Sequence, residues 1–528
     1  MRINNLLTTC LLILLALCTT IPSNGDDVEK TFCSIGGAYT AEELWESHGW
    51  TQSFDLKKCT FIWLNLVEDY CTELMDKKME RNFLTSRQMV NFFQGEDIFV
   101  DKGLLPRYLK RYEQKVCPKY LKADECVETW DVVPELLPID SERDVHELEQ
   151  RFIEEKDTKI ILKPSDGAGG SGVKVLQHDE FIQFLHSPKE YEGVMIGEDI
   201  MQVYFQTPYL LHNHKSEVAL YWTLVSIDPL IVYYLDEWQI RRNAEPFDHG
   251  QFNPYKHVTN IDAQKSHKKY KELKKSLKWR MQDYKEYINT DRGSGAFEYL
   301  FSQMKRSIVR VLNATVPTMK GEEPYIDLPE SLLLGYYLEE GCSPWKSNAF
   351  SIGTYRSDFM VDELTLRPIM TEVQSNFGAG YKTSAKKYII PPLFRGMVDI
   401  VHEVTHLRSA GRPVNEVVNN ISPAHFHLLI NEADDFYDDK IKKNRNFKCK
   451  STDGIRCDKY KDPEYTVEIK NKFDENTNMF GDIVDNEKKE ETPQILTERE
   501  LMNDDNEDIT PPSFTEFGSG VLSSMDEL

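Results

Sequence analysis

Residues 161–173 read ILKPSDGAGGSGV, a glycine-rich loop with a lysine at its mouth. Bare glycine amides that approach closely, with a point charge beside them, are suited to holding phosphate. The run Gly167-Ala168-Gly169-Gly170-Ser171-Gly172 satisfies the letters of a dinucleotide fingerprint and begins a P-loop spacing. A P-loop then needs Lys-Ser or Lys-Thr, whereas Val173 and Lys174 stand here, so the P-loop is excluded. A dinucleotide loop must open a helix whose N-terminal amides bind pyrophosphate. The segment after Gly172 is VKVLQ, in which Val173 and Val175 alternate with Lys174 at the period of a strand, and a helical pattern starts only at DEFIQFL.

The loop must therefore be carried by two strands. KIILKP before it is β-like and ends in Lys163 and Pro164, which delivers a cation to the loop mouth on extended backbone. Such a hairpin can fold over phosphates as a flap, but the loop alone does not name the nucleotide. Residues 156–245 are strand-rich throughout: KIILKP, VKVL, VMIGEDI, EVALYWTLVSI and LIVYYLDEWQIRR, with Asp228-Pro229 as a turn between the last two. Residues 30 to about 150 read as mixed, with helices expected at AEELWES, FIWLNLVEDYCTELMDKKMER and LPRYLKRYEQK. Ser266 to Ile288 reads as a basic helix, either a solvated face or a dock for an acidic peptide. AFEYLFSQMKRSIVRVL places Phe297, Leu300, Phe301, Met304, Ile308 and Val311 or Leu312 on one face, as a packing helix does. A hairpin at DFMVDELTLRPIMTEVQSN and a final helix near IPPLFRGMVDIVHEV come next.

The chain has 528 residues, 40% hydrophobic and 28% charged, an ordinary globular composition with room for two or three domains. Its net charge of −24 is concentrated in 473–528, where 16 Asp and Glu face 3 Lys and Arg; with few aromatics and no period, that tail is expected to be disordered. No basic nucleic-acid footprint is present. MRINNLLTTCLLILLALCTTIPSNG has the layout of a cleavable signal peptide, with a signal anchor as the alternative, and no later stretch is apolar enough to span a bilayer. Removing it leaves eight cysteines, five of them within 33–126, which suggests disulfides in an oxidising lumen with unreadable pairing; zinc is the weaker reading without C-x-x-C. Sequons at Asn313 and Asn420 fit this route, and the ending MDEL differs from an ER retrieval tetrapeptide only at its first position.

Taken in order, the loop, strand pairs and late acidic hairpin resemble the tubulin–tyrosine ligase-like family of ATP-grasp ligases, from about Gln88 to Leu407. VNFFQGEDIFVDKGLLPRYLKRY is similar to the family's entry segment, WDVVPELLPID to its lead into the central domain, and MQVYFQTPYLL to its adenine hinge. HKSEVALYWTLVSIDPLIVYYLDEWQIRR takes the place of its long double strand, HVTN at 257–260 that of a family signature, and DFMVDELTLRPIMTEVQSN that of its metal hairpin. The resemblance implies ATP, Mg²⁺, a free amino-acid donor and an acidic protein or peptide acceptor, joined through an acyl phosphate. It also implies an α+β / α/β ATP-grasp fold, two α/β subdomains clamping ATP.

Carried over by position, Lys163 meets the α- and β-phosphates under the amides of Gly167, Gly169, Gly170 and Gly172. Gln202, Val203, Tyr204 and Phe205 form the adenine hinge, with Lys215 and Glu217 near adenine or ribose. Asp358, Glu372 and Gln374 hold Mg²⁺, and Arg241 is the catalytic cation for the γ-phosphate or acyl phosphate. His257 is a structural residue. Away from the ordered series, the lysine is a solvated loop residue and each acid a surface carboxylate.

Two positions depart from the family pattern. The usual arginine is Ala219, and the usual metal-site asparagine is Gln374, with Arg242 and Asn376 as nearby substitutes. The expected organisation is a signal peptide at 1–25, a cysteine-containing domain at 26–150, a ligase-like domain at 151–435 and an acidic tail at 436–528. The expected function is an ATP-dependent carboxylate–amine ligase in the ER lumen or secreted. The alternatives are a nucleotide-binding pseudoenzyme serving as a scaffold and, least supported, an oxidoreductase.

Overall fold

A computed structural model describes residues 28–437 apart from 38, 66–84, 86, 117–127, 138–141, 164–169, 171, 187–199, 251, 322–349, 376, 378–379, 382–384 and 435. Residues from 438 onward, the N-terminal apolar run, Asn376 and all cysteines except Cys33 and Cys59 lie outside them, while Phe436 and Tyr437, expected in the tail, pair with the large sheet. Three sheets and their helices make a mixed α+β architecture.

The first sheet joins β1 (Thr31–Ile35), β2 (Thr51–Gln52), β3 (Phe61–Leu64) and β4 (Met89–Val90) in the order β2-β1-β3-β4, all pairs parallel. A disulfide between Cys33 and Cys59 links β1 to the residues leading into β3. The helix expected across FIWLNLV begins instead as β3. Phe61, Ile62 and Leu64 are buried, and a short run buried on both faces carries no alternation to distinguish strand from helix. AEELWES forms α1 (Tyr39–Ser47) as expected. The short α2 (Asp97–Val100) precedes α3 (Leu104–Arg111), which continues as a π turn at Tyr112–Val116 and covers LPRYLKR.

The second sheet joins β5 (Ile160–Lys163), β6 (Lys174–Leu176) and β7 (Ile200–Val203) in the order β6-β5-β7. Its apolar side packs on α4 (Glu142–Glu154) and α5 (His178–His186) through Leu148, Phe152, Phe181 and Phe184. The strand expected at VMIGEDI has only its last residue, Ile200, among the described residues, where it opens β7.

The third sheet has nine strands. Its path runs β12-β11-β9-β10-β15-β16, with β8 and the β13-β14 pair attached through β9. The ranges are β8 (Leu210–Leu211), β9 (His214–Ile227), β10 (Leu230–Leu235), β11 (Gln239–Arg242), β12 (Lys278–Arg280), β13 (Gly353–Val361), β14 (Pro368–Gln374), β15 (Phe426–Asn431) and β16 (Phe436–Tyr437). Helices α6 (Pro254–His257), α7 (Ile261–Lys265), α8 (Tyr270–Leu273) and α9 (Met281–Arg292) fall between β11 and β13. The basic helix expected over 266–288 is thus α8, then edge strand β12, then the start of α9, because Lys278, Trp279 and Arg280 complete the ladder beside β11.

Two long helices sandwich this sheet. α10 (Ala296–Met319) buries Phe297, Leu300, Met304, Ile308, Val311 and Leu312 against one face, with Phe301 packed beside them, as its apolar stripe requires. α11 (Lys386–Ser409) covers the other through Ile389, Leu393, Met397, Ile400 and Val404. Along β9 the even residues Val218, Leu220 and Trp222 face the α10 layer, and Ala219 and Tyr221 face the α11 layer. The first sheet lies on α11, where Trp45 donates its indole N–H to the Phe394 carbonyl at 3.2 Å and His48 meets Asp399 at 2.8 Å. No helix among the described residues is long and apolar enough to cross a membrane.

Sequon Asn313 sits inside α10, and Thr315 is fully buried with its hydroxyl donated to Val311, so this sequon has no accessible acceptor geometry. Asn420, ending the short α12 (Val417–Asn420), is exposed.

Candidate functional site

β5 and β6 pair antiparallel with Ile160 opposite Leu176 and Leu162 opposite Lys174, so the glycine loop is a hairpin connection. A strand comes almost at once after Gly172 and α5 begins at His178, which removes the strand-loop-helix geometry of a dinucleotide site. Gly167 and Gly169 lie outside the described residues. Gly170 and Gly172 both adopt positive φ, +81° and +72°. A Cβ on Gly170 would stand 2.8 Å from Val258 Cγ1 and 3.5 Å from Asn260, so this glycine rests on the HVTN segment. There Asn260 caps α7 by accepting the Asp262 N–H, and the His257 ring bonds the backbone of Asn253 and Asp248, a structural role.

Lys163 ends β5 and donates from Nζ to Oε1 of Gln202, 2.8 Å away on β7. Gln202 is buried; Val203 and Phe205 are half-buried. Two residues beyond Gln202, the Tyr204 hydroxyl accepts from Lys215 Nζ at 2.9 Å, and the same ammonium stands 4.3 Å from the Tyr204 ring centre. Burial pushes the Lys215 ammonium down to about 7 against the opposing charge of Glu217. Lys163 is lowered too, by burial, with the charges of Glu372 and Glu217 working against it. Gln202, Tyr204 and the two lysines therefore share one neighbourhood.

The other wall is β13 with β14. Asp358 is fully buried and lies between two backbone partners, Ala219 of β9 and Glu372 of β14. Arg241 reaches from β11 and donates from Nη2 to Asp358 Oδ2 at 2.5 Å and to Glu217 Oε2 at 2.7 Å. Arg356, two residues before Asp358 on the same face, donates from Nε to Oδ1 at 2.9 Å and from Nη2 to Oδ2 at 2.7 Å. Burial would raise the Asp358 carboxyl, but these two guanidiniums outweigh it and hold it down at about 2. Glu217 also accepts from Thr259 of the HVTN segment and from Thr371, both at 2.7 Å. Its oxygens are thus engaged inside the cluster rather than turned to the hinge.

Glu372 is pushed up to about 7 by burial and by the neighbouring Asp358 charge, with Lys102 opposing at 3.7 Å. Asp358 and Glu372 share a side-chain hydrogen bond across the strand pair, and with the amide of Gln374 they bring together hard oxygen atoms of the type Mg²⁺ takes. Gln374 donates its amide nitrogen to Glu372 Oε1 at 2.5 Å, and turning the amide would present its oxygen to a cation instead. Among the described residues no group of three or more His, Cys, Asp or Glu could hold a metal ion. Arg241, Arg356, Lys102, Lys163 and Lys215 surround Glu217, Asp358 and Glu372, an excess of cations suited to a polyphosphate. Lys102, Gln202, Thr371 and Glu372 line a single cavity.

The sequence did not single out Arg356, Lys102, Thr259 or Thr371. For Arg356 a signal existed, since a period of two puts it on the face of Asp358; for Lys102 none did. Arg242 is half-buried on the side of β11 opposite Arg241, and its backbone N–H bonds Leu277.

A family model described as the tubulin-tyrosine ligase family matches residues 60–326. The match takes in the flap, the hinge, Lys215, Glu217 and Arg241, while the β13-β14 hairpin lies beyond it. A "Probable tubulin polyglutamylase TTLL9" of Mus musculus is 27% identical over 30% of this chain and 34% of its own length. A "Probable tubulin polyglutamylase TTLL2" of Homo sapiens is 20% identical over 65% of this chain and 51% of its own. An "Inactive polyglycylase TTLL10" of Homo sapiens is 24% identical over 60% of this chain and 45% of its own. The chain thus spans about a third to a half of the length of these relatives.

Proposed function

The chain belongs to the tubulin-tyrosine ligase family, and from that premise we propose that it is an ATP- and Mg²⁺-dependent ligase adding an amino acid to a protein carboxylate. A carboxylate oxygen of the acceptor attacks the γ-phosphorus of ATP, forming an acyl phosphate and releasing ADP. The donor's amine nitrogen then attacks the acyl carbon and expels phosphate, and the amine's surplus proton leaves with phosphate and solvent. In this reading the two subdomains of an ATP grasp are the β5-β7 sheet and the large sheet, within a ligase domain at about 151–435. The resident chemistry is charge cancellation: Lys163 and the glycine amides at the inner phosphates, Arg241 at the transferring one, and Asp358, Glu372 and Gln374 holding the Mg²⁺ that neutralises the phosphates.

One observation carries the reading. Gln202, bonded by Lys163, and Glu372, cross-strand partner of Asp358, line the same cavity. The β5-β7 sheet, through Gln202, and the carboxylate hairpin, through Thr371 and Glu372, thereby flank one space, which supports reading them as the two sides of a nucleotide site.

The test mixes purified protein with ATP, Mg²⁺, glutamate, glycine or tyrosine and an acidic acceptor peptide, and looks for amide addition by mass spectrometry. Addition of one donor residue supports the ligase. Ala219 favours a second reading, because it leaves a methyl where the family pattern has a guanidinium. ATP-dependent thermal stabilisation with no product from any donor would favour that pseudoenzyme. The Cys33–Cys59 bond supports a working place in an oxidising compartment. Sensitivity of an exposed Asn420 glycan to an endoglycosidase in cells would place the chain in the secretory route.

A further inference from the structure

We infer that Arg356 is a second guanidinium of the phosphoryl-transfer site, contacting the γ-phosphoryl group alongside Arg241. This deepens the ligase reading and rests on it. Arg356 is buried, and its guanidinium stands between the two carboxylates of the hairpin. It donates twice to Asp358, and its Nη2 is 3.7 Å from Glu372 Oε1. Any phosphate bridged to those carboxylates by a cation comes within reach of the same group. The two bonds to Asp358 use Nε and Nη2, leaving the Nη1 donors of a five-donor fork outside both. Arginine's planar fork matches phosphate oxygens, which a lysine would meet only as a point charge.

Strand register explains why this guanidinium has room. Arg356 is paired with Tyr221 of β9, and Asp358 with Ala219. Arg356 therefore reaches along its own strand toward the 219/358 pair, where β9 contributes only the Ala219 methyl. A long side chain at 219, on the same face of the same sheet, would compete for that space. The position that reads in the sequence as a lost arginine is thus the position beside which a different arginine lies.

Charge supplies the remaining argument. Arg241 and Arg356 both converge on Asp358, with Glu217 as the second partner of Arg241 and Glu372 beside Arg356. Lys163 and Lys215 stand close by, each hydrogen-bonded to a neutral acceptor, Gln202 and the Tyr204 hydroxyl. The buried guanidiniums are already paired with carboxylates, and a triphosphate would offer the remaining donors of the same forks further anionic oxygens. As the acceptor oxygen attacks the γ-phosphorus and ADP departs, charge spreads over the equatorial oxygens, where two forks can receive it.

The test is calorimetric binding of the Mg²⁺ complexes of ADP and of a β,γ-imido ATP analogue to the full chain. It compares wild type, Arg356→Ala, Arg356→Gln and the double variant Ala219→Arg/Arg356→Ala. Wild type should prefer the analogue. Loss of one charged hydrogen-bonding partner should weaken the analogue roughly 10- to 100-fold in both single variants while ADP affinity holds within about threefold. The double variant should recover the preference. Arg356→Gln retains an amide donor for Asp358, so it provides the answer if Arg356→Ala does not fold. Equal weakening of ADP and analogue, or an unchanged preference, overturns the role of Arg356 and leaves the ligase reading standing. Failure of wild type to bind either nucleotide removes both.

Discussion

Lys163 and Gln202 are joined by a 2.8 Å hydrogen bond across β5 and β7, tying the lysine at the mouth of the glycine loop to the first residue of the proposed hinge. Backbone pairing sets this up, because Ile161 stands opposite Gln202 and Lys163 opposite Ile200. Lys163→Ala should therefore weaken ADP and the ATP analogue together, by roughly 10- to 100-fold, since its proposed contacts are with the inner phosphates. Parallel titrations with the two nucleotides check this. A selective loss for the triphosphate would move Lys163 to the outer phosphate.

Asp358 is the carboxylate on which two buried guanidiniums converge. Asp358→Asn leaves Arg241 and Arg356 without that charge and should cost roughly 3–5 kcal/mol of folding stability in the absence of nucleotide. Urea unfolding of wild type and variant measures it. The double replacement Asp358→Asn/Arg356→Met, which removes charges of both signs, should lose less than the single one.

Glu96 gives a pH dependence that is separate from nucleotide. It is buried behind the sheet, where it accepts the Phe93 N–H at 2.9 Å and the Tyr355 hydroxyl at 2.7 Å. Burial pushes its carboxyl up to about 8, against those hydrogen bonds. A raised folded pKa means the native state keeps a proton that the unfolded chain has lost, so stability should fall as pH rises from about 4.5 to about 8. Glu96→Gln should flatten that slope. Unfolding midpoints at the two ends of the window decide it, and a slope unchanged in the variant would assign the dependence to other groups.

Cys33 and Cys59 close a 26-residue separation in the first sheet. Replacing both with alanine should cost about 3 kcal/mol through freedom restored to the unfolded chain. Nucleotide affinity should be unchanged, because the bond lies in a different sheet from the flap and the carboxylate hairpin. Thermal melts and binding titrations of the same sample check both halves.

How much of the fold was legible in the sequence varied with how local the information was. β5 and β6 around the glycines, β9 with β10 across Asp228-Pro229, and β13 with β14 all announced themselves by period-two alternation or by apolar runs bounded by turn residues. α10 showed through its 3.6-residue stripe. β3 did not, because FIWL is buried on both faces and its environment, not its pattern, selects a strand. β12 was hidden inside a lysine-rich stretch whose local preference is helical, and the ladder beside β11 overrode it. Asp358 and Glu372 were found as a pair because a hairpin joins them locally. The convergence of Arg241, Thr259 and Thr371 on Glu217 joins residues up to 154 apart, and no spacing in the sequence encodes it.

The fourteen-residue strand β9 has a consequence for how this chain can vary. It is a two-sided ruler, with Lys215, Glu217 and Ala219 graduated along one edge and Val218, Leu220 and Trp222 along the other. Deleting any one residue between them inverts the ruler, driving ammonium and carboxylate into oil and turning an indole toward the charges. Insertions can accumulate harmlessly at loops, but within this stretch only changes that preserve parity can survive.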